Sequence, residues 1–92
     1  MARFMRLDVI NNLLEIGLVP LFYNGDVETA VELASACARG GAKLIEFTNR
    51  GEGAYSVFTE LVKYVAKADP DVILGVGSII DAPTAALYLA SG

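Results

Sequence analysis

Three short apolar runs, each followed by a helical pattern, limit what this chain can fold into. Residues 18–23, 43–48 and 72–77 read as strands, rich in Val, Ile, Leu and Phe. After the first two, apolar residues recur every three or four positions, the period of an amphipathic helix. Val27, Ala30, Val31, Ala34, Cys37 and Ala38 form one stripe; Val57, Phe58, Leu61, Val62 and Val65 form the next. Ala85 to Ala90 carry a last helix. A leading helix precedes the first strand, with Phe4, Leu7, Ile10 or Asn11, and Leu14 on one stripe that Val9 and Leu13 widen. The punctuation agrees. Gly17 and Gly40-Gly41 suit helix ends, Asp26 and Asp81 suit N-caps, and Pro83 is tolerated in a first turn. Asn24-Gly25 makes a turn and Asp69-Pro70-Asp71 a break.

Alternating β and α at this spacing means right-handed βαβ units and a parallel sheet. The expected helices are 3–16, 26–39, 54–68 and 82–90, packed on the outer face of strands lying in sequence order. The leading helix either joins that layer or covers the bottom of the curve. Three strands do not close a barrel. They make a small open sheet or the opening part of a (βα)8 barrel, which typically needs about 250 residues. With 92 residues, the chain reads as one partial barrel domain, 1–92.

The hydrophobic fraction is 54% and the charged fraction 20%, slightly more apolar than the usual ~45–50% of soluble domains. That excess points to surface seeking a partner, so self-association is expected. A net charge of −4 without a basic run gives no support to nucleic-acid binding. There is no histidine, and no acidic cluster has metal-ligand spacing, so neither metal nor cofactor is expected. No stretch approaches the ~20 apolar residues of a membrane span, and the start lacks a secretory pattern; the cytoplasm is the expected location. Cys37 has no second cysteine to pair with and reads as a buried, inert thiol.

One residue breaks the apolar pattern. Glu46 sits inside the second strand, where a closed interior makes a carboxylate costly unless it is paired, hydrogen-bonded or protonated. Strand alternation puts Leu44, Glu46 and Thr48 on one face and Ile45 and Phe47 on the other. Glu46 reads either as a general acid/base or as half of a structural ion pair with Arg50 or a neighbour. In a parallel sheet the loops after the strands gather at one edge, where ligands bind. Here that edge collects Tyr23, Asn24 and Gly25, then Thr48, Asn49, Arg50 and Gly51, then Gly77 and Ser78. A hydroxyl, an amide, a guanidinium and glycine backbone suit a small carboxylate, which arginine can grip bidentately. The same residue types are also ordinary turn formers.

Val19-Pro20, the run from Leu44 to Arg50, and Gly75-Val76-Gly77-Ser78-Ile79 together resemble the 2-keto-3-deoxy-6-phosphogluconate aldolase / 4-hydroxy-2-oxoglutarate aldolase family. The resemblance runs the length of the chain. It implies a class I, Schiff-base aldolase on a (βα)8 barrel, commonly trimeric, that releases pyruvate and an aldehyde. Glu46 then matches the general acid/base, working through a water, and Arg50 matches the arginine that binds the pyruvyl carboxylate. Ser78 falls where the family usually has threonine beside that carboxylate, and Thr48 lines the same pocket. Phe47 and Asn49 replace commoner smaller or aliphatic residues. The family's Schiff-base lysine lies on a later strand, beyond residue 92. Lys43, Lys63 and Lys67 are poor stand-ins for the desolvated amine this chemistry needs. The chain therefore reads as the opening three-eighths of such an enzyme, inactive by itself. The alternatives are a non-catalytic assembly of barrel fragments or a small-anion binding module.

Overall fold

The computed structural model describes residues 2–92. In chain order the elements are α1 (Arg6–Ile16), β1 (Leu21–Phe22), α2 (Val27–Arg39), β2 (Leu44–Thr48), α3 (Ala54–Ala68), β3 (Ile73–Gly77) and α4 (Ala82–Ser91). The strands form one parallel sheet in the order β1-β2-β3. This is the expected α/β pattern of a partial barrel.

Local chemistry sets the boundaries. The Asp26 carboxylate accepts from the Thr29 backbone N–H at 3.0 Å and its hydroxyl at 2.8 Å, which starts α2. Asp81 accepts from the Thr84 N–H at 2.7 Å and starts α4, with Pro83 harmless in the first turn. These bonds hold both carboxyls below the ordinary aspartate value. Gly17, at φ 72°, ends α1 with its N–H donating to the Leu13 carbonyl at 2.8 Å. That left-handed geometry is one only glycine adopts cheaply. Asp69 follows the last turn of α3, before Pro70.

The core lies between the sheet and α2, α3 and α4. Ile45 and Phe47 are fully buried there, against Ala30 and Ala34 of α2 and Val57, Phe58, Leu61 and Val65 of α3. Aromatic rings run through this layer from one element to the next. Phe22 meets Phe47 edge-on at 5.6 Å between centroids, Phe47 meets Phe58 at 5.9 Å, Phe58 meets Tyr88 at 5.0 Å, and Tyr88 meets Tyr55 at 5.2 Å. Such pairs add about 0.5–1.5 kcal/mol each beyond their area.

Three expectations change. The first strand is two residues long, not six. Pro20 has no N–H to give the ladder, although its carbonyl accepts from the Glu46 N–H at 2.9 Å, so the chain already runs beside β2 there. The leading helix starts at Arg6, and its apolar stripe is not buried. No α1 residue is, and Leu7 and Leu14 are 66% and 78% exposed. The helix lies against β2 but contributes nothing to the core cluster, so it is not part of the outer layer. Third, Cys37 is half-buried, and Val27, the first residue of α2, is exposed.

Candidate functional site

The face of the sheet away from the helices carries the carboxylate. In register, Leu21, Glu46 and Gly75 lie side by side across the three strands, and Thr48 pairs with Gly77 one repeat further on. Glu46 is half-buried, while its neighbours Ile45 and Phe47 are sealed on the opposite face. The strand alternation around the acidic residue is as expected.

Two glycines shape the surroundings of Glu46. A Cβ on residue 77 would overlap Glu46 Oε1, so the carboxylate lies across the bare backbone of β3. A Cβ on residue 75 would meet nothing within 4 Å, so the space directly beside Glu46 is open. The carboxylate has no hydrogen bond or ion pair among the described residues, and the only ion pair there is Lys63 with Glu60, on the surface of α3. The structural pairing of Glu46 with Arg50 is therefore not formed. On the same face, the Thr48 hydroxyl is fully buried and has no partner among the described residues. An orphaned buried hydroxyl costs about 1–3 kcal/mol, and groups of this kind repay a bound water or ligand atom.

The turn after β2 crosses to β3. The Asn49 N–H donates to the Gly77 carbonyl at 2.9 Å, and the Arg50 N–H donates to the Thr48 carbonyl at 2.8 Å. Arg50 is exposed, with a guanidinium that bonds to no other described residue. Ser78, directly after Gly77, is exposed and has φ 61°, the one left-handed non-glycine among the described residues. Such conformations are held at a cost and cluster at ligand sites. The structure thus brings Glu46, Thr48 and Ser78 to one end of β2 and β3, with Arg50 in the turn above them. No contact joins the Arg50 side chain to the other three.

Sequence reasoning overlooked Tyr88. Its hydroxyl donates to Asn49 Oδ1 at 2.8 Å from a buried position on α4. Burial first, and the neighbouring Tyr55 second, push its phenol above the ordinary range, so it stays protonated as a donor. Nothing in its local sequence distinguishes it from a core aromatic.

The three lysines lie away from this face. Lys63 and Lys67 are exposed on α3, and Lys63 is held by Glu60 at 3.0 Å. Lys43 precedes β2, at the opposite end of the sheet, beside Asp69 and Asp71. Among the described residues no cluster of His, Cys, Asp or Glu could hold a metal ion, and no helix is long and apolar enough to cross a membrane.

No family model matches the chain. Over 75 residues, 82% of its length, it is 37% identical to a 2-dehydro-3-deoxy-phosphogluconate aldolase of Pseudoalteromonas atlantica. Over the same share it is 32% identical to a protein of that name from Dickeya dadantii. Each match takes in 33% of the relative, so the chain spans about a third of the length of the curated relatives it matches. The aldolase resemblance read from the sequence is borne out over most of this chain and over part of those proteins.

Proposed function

We propose that residues 1–92 form the proton-transfer and carboxylate-binding side of a class I aldolase site. The substrate would be 2-keto-3-deoxy-6-phosphogluconate or 4-hydroxy-2-oxoglutarate, cleaved in the cytoplasm to pyruvate and an aldehyde, without a cofactor. The observation that carries this reading is the unpaired Glu46 carboxylate, laid over Gly77, with open space above its neighbour Gly75. A carboxylate with no partner is free to take a proton from a substrate hydroxyl and return one to the pyruvyl carbon, through a water near Thr48. Arg50 is free to grip the keto acid's carboxylate, with the Ser78 hydroxyl beside it. The similarity to two named aldolases supports the chemistry.

In this reading the Schiff-base amine comes from outside these 92 residues, because Lys43, Lys63 and Lys67 are all remote from Glu46. A second reading, a non-catalytic module that binds a small anion and assembles with copies of itself, draws on the exposed apolar residues of α1.

The test has two arms. Treated with pyruvate and borohydride, the 92-residue chain alone should give no adduct by mass spectrometry. Supplied with a segment that restores the lysine, it should turn over substrate, and Glu46→Gln should then lower turnover by ~10²–10⁴-fold, the usual weight of general acid/base catalysis. Wild-type turnover in Glu46→Gln removes the assignment. An adduct on the isolated chain would make one of its own lysines the nucleophile.

A further inference from the structure

The turn that carries Arg50 is tied down on two sides by buried or half-buried phenols. On the α4 side, the Tyr88 hydroxyl donates to Asn49 Oδ1 at 2.8 Å, while Tyr88 itself is wedged between Phe58 and Tyr55. On the β1 side, the Tyr23 hydroxyl donates to the Glu52 carbonyl at 3.0 Å. The Tyr23 ring lies directly on Gly51, where any Cβ would overlap it, and its oxygen would sit 3.1 Å from a Cβ at Gly25. Between the two anchors lie only Arg50 and Gly51. The backbone of the turn is also pinned to β3 through the Asn49 N–H and the Gly77 carbonyl.

An exposed loop of five residues with two glycines would otherwise be mobile. Here its first residue is fastened to a helix and its fourth to Tyr23, directly after the first strand. Asn49 points to the helix side, so it does not face the open side of the sheet where Glu46 lies; its amide serves as the acceptor that Tyr88 needs. An aliphatic residue at 49 would leave the phenol without that partner, so the two positions form one device.

We propose that Tyr88 and Tyr23 are positioning residues: two hydroxyl latches, acting through Asn49 and the Glu52 carbonyl, that hold the Arg50 turn in one geometry and so preorganise it for an anion. The functional half of this rests on the reading of Arg50 as a carboxylate ligand. The mechanical half rests on geometry alone. Fixing the backbone from which a cationic side chain projects removes part of the ordering cost that binding must otherwise meet.

The experiment is amide hydrogen exchange by NMR on the 92-residue chain, with Tyr88→Phe, Asn49→Leu, the double variant and Tyr23→Phe. Phenylalanine keeps the ring packing and removes only the hydroxyl. Exchange of the Asn49 and Arg50 amides should quicken by about two- to twelvefold in each single variant, the factor one net hydrogen bond gives. The Glu46 amide, bonded to the Pro20 carbonyl, should not change. The Tyr88→Phe/Asn49→Leu double variant should match either single one, because both break the same bond. A pyruvate titration on the same samples should show weaker binding in each latch variant. Unchanged exchange in the turn overturns the proposal, and so does a uniform rise across the chain, which would mean a merely structural hydroxyl. If wild-type protein binds no pyruvate, the carboxylate role of Arg50 falls, and the exchange pattern still decides the latch.

Discussion

Replacing Gly75 and Gly77 by alanine separately should have different consequences, although both lie in β3 on the same face. Neither has a positive φ, so alanine fits both backbones. Glycine inside a strand is less stable than alanine by about 0.5–1 kcal/mol, through the entropy of the unfolded chain. Gly75→Ala meets nothing within 4 Å and should realise that gain in full. Gly77→Ala places its methyl on Glu46 Oε1. The obstacle is the end of a flexible side chain, so the fold survives, but Glu46 must leave its rotamer at a cost of about 0.5–1.5 kcal/mol. The two variants should therefore differ by about 1 kcal/mol. With a urea m-value of roughly 1 kcal/mol/M for a domain of this size, the unfolding midpoints separate by about 1 M. Adding Glu46→Ala to each variant should close the gap, since the methyl then has nothing to displace. Coincident midpoints for the two glycine variants, or a gap that survives Glu46→Ala, would show that the carboxylate does not lie over residue 77.

Thr48→Val should raise stability by about 1 kcal/mol in urea unfolding of the ligand-free chain, because it removes a buried hydroxyl without a protein partner; a loss of that size would mean that the water of the proposed proton relay already occupies the site without substrate. The capping carboxyls Asp26 and Asp81 have depressed values in the folded chain, so their contribution is complete above the unfolded value of 3.8 and disappears as pH falls through the folded values. The melting temperature should drop below about pH 4, and Asp26→Asn with Asp81→Asn should flatten that drop; an unaltered slope in the double variant would place the acid sensitivity elsewhere. Leu7 and Leu14 on α1 should drive self-association, and sedimentation at micromolar concentration should show Leu7→Asp/Leu14→Asp shifted towards monomer. A clean monomer for the unaltered chain would refute this.

What the sequence made legible was whatever depends on local period and chain direction. The stripe of α3, the centre of the α2 stripe at Ala30 and Ala34, the aspartate caps and the glycine ends follow from propensities acting within a few residues. The facing of Glu46 against Ile45 and Phe47 follows from the strand period alone. What was not legible depended on partners brought from afar. The stripe of α1 has the helical period yet lies exposed, since period shows which residues share a face and not what covers them. Pro20 signalled an interrupted ladder, but not that only Leu21 and Phe22 would remain as strand. The glycines of β3 implied close approach by something; the structure shows that Gly77 is approached, by Glu46, and Gly75 is not. The partner of Tyr88 lies 39 positions earlier in the chain, beyond any local signal.

The brevity of β1 has a consequence for the order in which the molecule assembles. β2 and β3 share five register pairs, with α3 connecting them and packed against them, while β1 offers two pairs and must wait for β2 to exist. On a ribosome, residues 2–22 emerge before β2, their partner in the sheet. They can only dock once Leu44–Thr48 has followed them out. The β2–α3–β3 unit is then the expected folding nucleus, with β1 docking onto it afterwards. Substitutions in that unit, such as Leu61→Ala, should slow refolding. Substitutions at Phe22, whose ring packs on Phe47, should mainly quicken unfolding, and a high transition-state value at Phe22 would reverse this order.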